Sequence, residues 1–507
     1  MFCGLDLGTS GVKAAVFDEK GKQMAFARRE CDLIFPHTGW AELNARDYWN
    51  KIREVLREVS AKMNGNIQAI SISSQAQAVV PITREGQPLY NIIVTMDNRT
   101  LKQYRFWKDN FDEWEMYQKT GNAFSTIYTL NKIMWHKENL PQVYEDAWKF
   151  CCVPDYAGYL LTGENPLIDY SVAGRSMMLS PDTLIWNEEV LELAEISKEK
   201  LSTPVSSTTI LGKVKKEVCR ECQLSEDCVV VVGGHDQACG AVGSGVCRAG
   251  MLMDACGTVD AMLTVLPKLE INRKMLKNNL PCYRHVTDSN YITMAINTNG
   301  GLFFKWYKKT FYSCEAGICE KEGRDIYTEI IEQCSDKPSD MYILPHIEGA
   351  GTPYNDPQSL GAVIGLKANY TKKDISRAVL DSLAYEMKIN LLALEESTEQ
   401  PVEEIRLIGG GAKTARWLQI KADVFGKKIT TLQTNEAASL GAAIIAAVGT
   451  AYYKTIEEAT ACMVHSKDTF FPNLDMYRQY SDRFEEYKSI YGVLKPLNHR
   501  ISNRLNL

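Results

Sequence analysis

Two short stretches of this chain combine an acidic side chain with small residues in the way that phosphate chemistry needs. The first is Asp6-Leu-Gly-Thr-Ser-Gly11. Its Gly8-Thr9-Ser10-Gly11 turn lacks the Gly-Lys-Ser/Thr ending of a Walker loop, and no helix follows it as in a dinucleotide fingerprint. A tight Gly/Thr/Ser turn between two strands still presents N–H groups and hydroxyls in a concave nest suited to phosphate. The second is Val232-Gly-Gly-His-Asp236, which ends the apolar run Cys228–Val232 and opens a run of small residues reaching Gly245. A strand that delivers an acid at its carboxyl end, ahead of a helix of small residues, is a common way to place a catalytic group. The alternative is that Asp236 only caps that helix. Two more glycine turns share the setting. Gly257-Thr258 lies between two β-type runs and corresponds to Gly8-Thr9. Gly409-Gly-Gly411 joins a strand, Glu404–Ile408, to a helix, Thr414–Phe425, and allows close approach of a phosphate or flat ligand, or else close strand–helix packing.

These turns need elements to hold them. Residues 2–34 carry three β-type runs, Phe2–Leu7, Val12–Phe17 and Lys22–Ile34, with Asp18-Glu-Lys-Gly21 turning the second into the third as a hairpin. The recurrence of strand, Gly-Thr, strand predicts two halves of similar α/β design facing each other across a cleft. Lys372–Glu396 reads as a helix, with Thr371 and Asp374 as an acid-type capping box and Ile375, Val379, Leu383, Met387, Leu391 and Leu394 at helical spacing. Pro472-Asn473 opens a last helix whose stripe Tyr477, Tyr480, Phe484, Tyr487, Tyr491 has the spacing of core packing.

Composition bounds the function classes. At roughly 150 residues per domain, 507 residues give a prior of about three domains. The 57 Lys+Arg against 63 Asp+Glu leave a net charge of −6. Cationic runs are pairs such as Lys372-Lys373 and Lys427-Lys428, whereas a phosphate-backbone binder carries a basic stripe. Nucleic acid is therefore excluded as a partner, and any anion must be gripped locally. The longest apolar stretch, Leu440–Tyr453, falls short of the roughly 20 residues that span a bilayer, so no membrane partner is expected. The amino terminus lacks the basic region of a secretory signal, and scattered cysteines fit a reducing cytoplasm, the expected location. Cys219-x-x-Cys222, with Cys228 nearby, lacks a fourth ligand to make a zinc knuckle.

With these residues in place, the chain resembles the FGGY family of carbohydrate kinases over essentially its whole length. The carboxyl-side signature is matched by Gly361-Ala-Val363-Ile-Gly365-Leu366 followed, seven residues on, by Asp374-Ile375-Ser-Arg-Ala378-Val379-Leu380-Asp381. The amino-side signature is matched in part by Thr129-Leu-Asn-Lys132-Ile-Met-Trp135-His-Lys-Glu138-Asn139, where Ile127 and His136 depart from it. Asp97-Asn-Arg99, Asp155-Tyr, Gly233-Gly-His-Asp236, Thr352-Pro353 and Gly409-Gly-Gly-Ala412 follow in the family's order.

The resemblance implies an α/β fold of two actin-like ATPase (ribonuclease H-like) domains facing a catalytic cleft. The expected division is 1–247 for sugar and catalytic base, 248–450 for ATP, and 451–507 as a helical extension packed on the carboxyl-side domain. It also implies roles. Phosphoryl transfer to an alcohol needs a metal to neutralise phosphate charge and a carboxylate to take the proton. Asp236 matches the general base, and Asp6 and Asp236 are the carboxylates expected beside Mg²⁺, with a turn-stabilising role as the alternative for Asp6. Thr9, Ser10 and Gly11 on one side and Gly257 and Thr258 on the other match the phosphate contacts. Lys13 is either a γ-phosphate contact or a solvated strand lysine. Gly301, Lys305, Gly410, Gly411 and Ala415 match the adenosine pocket, although some relatives place an amide side chain at the position of Ala415.

The sugar is read partly through Ser73-Ser-Gln75-Ala-Gln77-Ala78. Xylulokinases carry Gln-Met-His-Gly at this point and glycerol kinases Gln-Arg-Glu, so only the first Gln is kept. Gln75, Gln77, Asp97, Arg99 and Gln237 are the expected partners of the substrate hydroxyls, with Asp236 at the reacting one. The expectation is an ATP- and Mg²⁺-dependent kinase for a ketopentose such as xylulose or ribulose, acting on a primary hydroxyl. A kinase for a sugar acid, deoxyketose or tetritol/glycerol is the alternative within the class, and an actin-like ATPase without sugar kinase activity the alternative outside it. The oligomeric state stays open, a homodimer included.

Overall fold

The computed structural model describes residues 1–287 and 289–505. The chain opens with β1 (Phe2–Leu7), β2 (Gly11–Phe17) and β3 (Gln23–Glu30), an antiparallel meander. Its second turn forms because Asp18 Oδ1 accepts from the N–H groups of Lys20 and Lys22, both at 2.9 Å, while Gly21 takes a left-handed φ of 77°. Helix α1 (Ala45–Lys62), capped by the Asn44 side chain, leads to β4 (Ala69–Ser74). A segment carrying α2 (Thr129–Asn139) and α3 (Tyr170–Gly174) forms an apolar lobe of its own before the chain returns as β5 (Ile210–Lys213), β6 (Val229–His235) and α4 (Asp236–Ser244).

The first sheet has the order β5-β6-β4-β1-β2-β3. A second sheet is built from β7 (Met251–Cys256), β8 (Asp260–Leu266), β9 (Tyr283–Arg284), β10 (Tyr291–Asn297), β11 (Glu404–Gly409), β12 (Lys428–Leu432) and β13 (Ser466–Phe470), in the order β9-β10-β8-β7-β11-β12-β13. Its helices include α5 (Gly300–Phe311), α6 (Lys372–Thr398), α7 (Ala415–Phe425), α8 (Ala437–Gly449) and α9 (Leu474–Leu505). The two sheets repeat one design. In each, an antiparallel meander (β1-β2-β3 or β7-β8-β10) continues into two further strands parallel to its first (β4 and β6, or β11 and β12) and ends on an antiparallel edge strand.

The halves meet through α4 and α8, which cross at backbone contact. A Cβ on Gly243 would lie 1.8 Å from the Ala437 carbonyl oxygen, and one on Gly441 would lie 1.8 Å from that of Cys239. A methyl group at either position would push the helices apart. Around this crossing Phe2, Phe17, Val242, Leu263, Leu440 and Ile444 form an apolar core between the sheets.

The capping box is present at Thr371 and Asp374. The tail corrects the expected helical extension: β13 adds an edge strand to the second sheet, pairing Ile429 with Phe470. Along α9, Tyr480, Phe484, Tyr487 and Tyr491 are buried, and burying each ring is worth about 1.5–3 kcal/mol. Their hydroxyls are satisfied too, Tyr480 donating to Asp381 (2.9 Å) and Tyr487 to Glu386 (2.7 Å). All fifteen cysteines are free thiols, and no metal-binding group of three or more His, Cys, Asp or Glu exists among the described residues. Cys219 donates instead to the Val214 and Ser225 carbonyls. Among these residues no helix is long and apolar enough to cross a membrane.

Candidate active site

Parallel pairing sets the first wall. Asp6 on β1 lies opposite Ser73 on β4, and Ser73 lies opposite Gly234 on β6, so the carboxyl ends of three adjacent strands bring Asp6, the Ser73–Ala78 loop and Asp236 side by side. This is where a parallel sheet offers a ligand crevice. Ser73 Oγ donates to Asp6 Oδ1 (3.0 Å), and Thr9 Oγ1 donates to Gln75 Oε1 (2.7 Å). The phosphate-type turn and the loop after β4 are thus tied together, and Tyr48 fixes the turn from below by donating to the Gly8 carbonyl (2.9 Å).

Asp236 stands at the first helical position of α4, one residue past the N-cap His235. It keeps 29% of its side-chain surface open. Protein encloses the rest, and desolvation, followed by the charge of Asp6, pushes its carboxyl up to about 7. Burial also raises Asp6, against the lowering effect of Lys13. His235 Nε2 lies 3.2 Å from Asp236 Oδ1, but burial pulls His235 down to about 3, so the ring is neutral and the contact is no ion pair. Two carboxylates raised by burial, Asp236 also by the charge of Asp6, offer oxygen ligands only, a donor set that fits a hard divalent cation.

The second wall is built the same way. Cys256 on β7 pairs with Gly409 on β11, which sets the Gly257-Thr258 turn beside Gly409–Gly411. The first turn of α5 docks onto it: the N–H groups of Gly301 and Leu302 donate to the carbonyls of Gly257 (3.0 Å) and Thr258 (2.9 Å). A Cβ on Gly301 would lie 2.2 Å from the Gly257 oxygen, so only glycine allows this approach. Lys305 follows one turn later on the same helix face. Gly257, Thr258 and Gly410 are exposed, leaving a glycine-rich surface open beside this turn.

The model of the FGGY family of carbohydrate kinases, N-terminal domain, matches residues 1–243, and that of the C-terminal domain matches residues 253–450. The chain belongs to the FGGY family of carbohydrate kinases. It is 28% identical over 498 residues to a xylulose kinase of Staphylococcus epidermidis, covering 97% of both chains, and 25% identical over 505 residues to a gluconokinase of Bacillus subtilis, covering 99% of this chain and 96% of that one. The crystal structure of ligand-bound xylulose kinase from Lactobacillus acidophilus superposes with a TM-score of 0.89 at 23% identity, over 97% of this chain and 98% of the other. The fold is thus the two-domain, actin-like ATPase fold of FGGY kinases, and the protein is a carbohydrate kinase of a family that draws phosphate from ATP.

In this kinase the structure brings Asp6, Thr9, Gln75 and Asp236 onto one wall, with Gln77 two residues along the same loop, and Gly257, Thr258, Gly301 and the Gly409–Gly411 loop onto the other. Ser10 and Ala415 are exposed, while Gly11 is buried at the start of β2. Lys13 does not stand free: its Nζ lies 2.8 Å from Glu436 and 3.9 Å from Asp6. Asp97 and Arg99 part from the expected sugar contacts. Both side chains are fully buried, Arg99 binding Asp97 (2.8 Å) and Glu42 (2.7 Å) with its guanidinium over the Trp40 ring. These donors and acceptors are spent on each other. Gln237 keeps a buried Oε1 with no protein partner, the kind of atom a substrate hydroxyl satisfies.

Several site residues escaped the sequence reading. Lys132, quoted for its motif alone, is wholly buried and holds the loop after β4 by donating to the carbonyls of Gln77 (2.9 Å) and Val94 (2.8 Å). Burial pulls its amine down to about 7. Lys421, also buried, donates to Asp254 (2.7 Å) and to Cys256 Sγ (2.8 Å) behind the second turn, where Asp260 accepts from the Gly257 N–H (3.1 Å). Arg175 and Glu436 complete the set. Their common signal was a charged residue inside, or at the edge of, an apolar or small-residue run.

Proposed function

We propose that the protein transfers the γ-phosphoryl group of ATP to a primary hydroxyl of a ketopentose such as xylulose or ribulose, with Asp236 as general base. The observation that carries this is the placement of Asp6 and Asp236 at the carboxyl ends of the two strands that flank β4, with the Asp236 carboxyl held at about 7. A base poised near neutrality takes the hydroxyl proton as the new P–O bond forms, and about half of it is ionised at pH 7 in the resting enzyme. Xylulose kinases among the relatives support the ketopentose, and gluconokinases favour a sugar acid as the second reading.

Thr9, Ser10, Gly11 and Lys13 from one wall and Gly257 and Thr258 from the other are suited to meet the phosphates with N–H, hydroxyl and ammonium donors. Gly301, Lys305, Gly410, Gly411 and Ala415 would hold the adenosine. Gln75, Gln77 and Gln237 orient the sugar. Asp6 and Asp236 would hold Mg²⁺, largely through its waters, and the ion would supply neutralisation of phosphate charge.

The test is ADP release from ATP and Mg²⁺ across a panel of ketoses, aldonates and polyols. Stimulation by one panel member is expected. Full-rate turnover without any sugar would mark an ATPase of the same fold and overturn the proposal.

A further inference from the structure

Arg175 is the buried charge that this reading of the site has not used. It follows α3 within Val172-Ala-Gly-Arg-Ser-Met-Met-Leu179 and is 4% exposed. The other deeply buried arginines are ion-paired, Arg99 at 2.7 Å and Arg377 at 2.8 Å. Arg175 meets only neutral groups. Its Nη1 donates to Asn122 Oδ1 (2.6 Å), and its guanidinium lies over the rings of Tyr128 (5.5 Å) and Tyr283 (5.3 Å). The Tyr283 hydroxyl is 3.1 Å from His235 Nδ1, and His235 adjoins Asp236, so this cation sits behind the catalytic end of the sugar wall.

Its remaining reach goes to Gln77. The surrounding donors and acceptors orient the Gln77 amide with its oxygen on Arg175, 3.2 Å from Nε and 3.1 Å from Nη2, and its nitrogen on the Ala76 carbonyl (3.1 Å). The fork occupies both lone pairs of that oxygen. Gln77 is held rigidly, at a left-handed φ of 64°, with its own carbonyl taken by Lys132. What its side chain has left to offer a ligand is one amide N–H and no acceptor.

A side chain that only donates discriminates at the point it touches. A substrate hydroxyl placed against it can accept, but its own hydrogen finds no acceptor on the Gln77 side chain. A keto or carboxylate oxygen has no hydrogen to leave unsatisfied, and it gains from the unpaired charge of Arg175 behind the amide. We infer that Arg175 is a positioning residue that sets specificity, turning Gln77 into an obligate donor so that the favoured substrate carries a keto or carboxylate oxygen at this point rather than a polyol hydroxyl. This rests on the sugar kinase reading above and narrows it.

The experiment compares kcat/KM for matched C5 sets, the ketose, the aldonate and the polyol of the same configuration, in the wild type, in Gln77→Glu and in Arg175→Lys. For the wild type, the ketose or the aldonate is expected to exceed the polyol by at least about tenfold. A lead for the ketose identifies the keto oxygen, and a lead for the aldonate the carboxylate. Gln77→Glu keeps a partner for Arg175 and so keeps the fold, yet replaces the N–H by an acceptor. It should cut that preference at least about tenfold while KM for ATP stays within about twofold. Arg175→Lys, which keeps the charge but loses the fork, should cut it in the same direction. Use of the polyol by the wild type equal to that of the better of ketose and aldonate, or a preference unchanged in Gln77→Glu, would sink the inference and leave the kinase reading standing. Phosphorylation of no panel member would overturn both.

Discussion

Lys13 on β2 and Glu436 at the start of α8 form an ion pair of 2.8 Å between the two halves of the molecule. The lysine that the resemblance offers as a γ-phosphate contact is therefore held by a carboxylate of the opposite half, with Asp6 3.9 Å away. Both side chains are partly exposed, at 30% and 20%. Such a pair contributes only about 0–1 kcal/mol to stability, so its consequence lies in competition for the lysine.

Glu436→Gln removes the competitor and one negative charge near the phosphate turn. The expected outcome is a KM for ATP lowered about two- to fivefold, with the melting temperature shifted by no more than about 2 °C. Lys13→Met should raise KM for ATP. Steady-state kinetics on the two variants check the pair, and a rise in KM for ATP in Glu436→Gln would show that the carboxylate helps the nucleotide site instead of competing with it.

Asp236→Asn keeps the shape of the side chain and removes its basicity. A fall in kcat of about 10²- to 10⁴-fold is expected, with ATP affinity nearly unchanged. Because the wild-type carboxyl sits at about 7, kcat/KM in the wild type should climb with pH through neutrality and level off above it. Near-normal turnover in the variant would remove Asp236 from the role of base.

The same shift makes a stability statement. The folded pKa of Asp236 lies above the ordinary carboxylate value, so the folded state binds this proton more tightly than the unfolded chain does. The contribution is fully present below about pH 4 and is lost as pH rises through 7. Asp236→Asn carries no such loss. In EDTA, the variant is expected to melt above the wild type at pH 8 and together with it below pH 4. Thermal denaturation at the two pH values measures this, and a less stable variant at pH 8 would contradict the sign.

The strand-turn-strand repeat around Gly8-Thr9 and Gly257-Thr258 was legible because short, nearly continuous apolar runs broken by glycine turns are local signals, and the two sheets share the topology it predicts. The placement of Asp236 at a strand end was legible for the same reason. Arg99 was not, because nothing local says that Glu42, far away in sequence, closes an ion pair on it. Arg175, Lys132 and Lys421 were hidden likewise: a buried cation is defined by partners that only tertiary packing supplies. The strand β13 was missed since Ser-Lys-Asp-Thr-Phe470 is polar, and its pairing with β12 at a sheet edge asks for no apolar alternation.

Lys421 offers the sharpest separation of fold from function on the nucleotide side. Its Nζ and the Asp254 carboxylate are both fully buried, 2.7 Å apart, under the turn that carries Gly257 and Thr258. Lys421→Met would leave Asp254 charged and unpaired out of water, at a cost of about 3–5 kcal/mol. The double variant Lys421→Met/Asp254→Asn removes the stranded charge and should recover at least about half of that loss. Recovery of stability need not bring back the geometry of the turn, because Lys421 also holds Cys256, the residue before Gly257. The double variant is therefore expected to fold with a melting temperature near the wild type while KM for ATP stays elevated and KM for the sugar is little changed. Chemical denaturation and two-substrate kinetics on the single and double variants check both halves of this expectation, and a double variant with wild-type KM for ATP would reduce Lys421 to a purely structural charge.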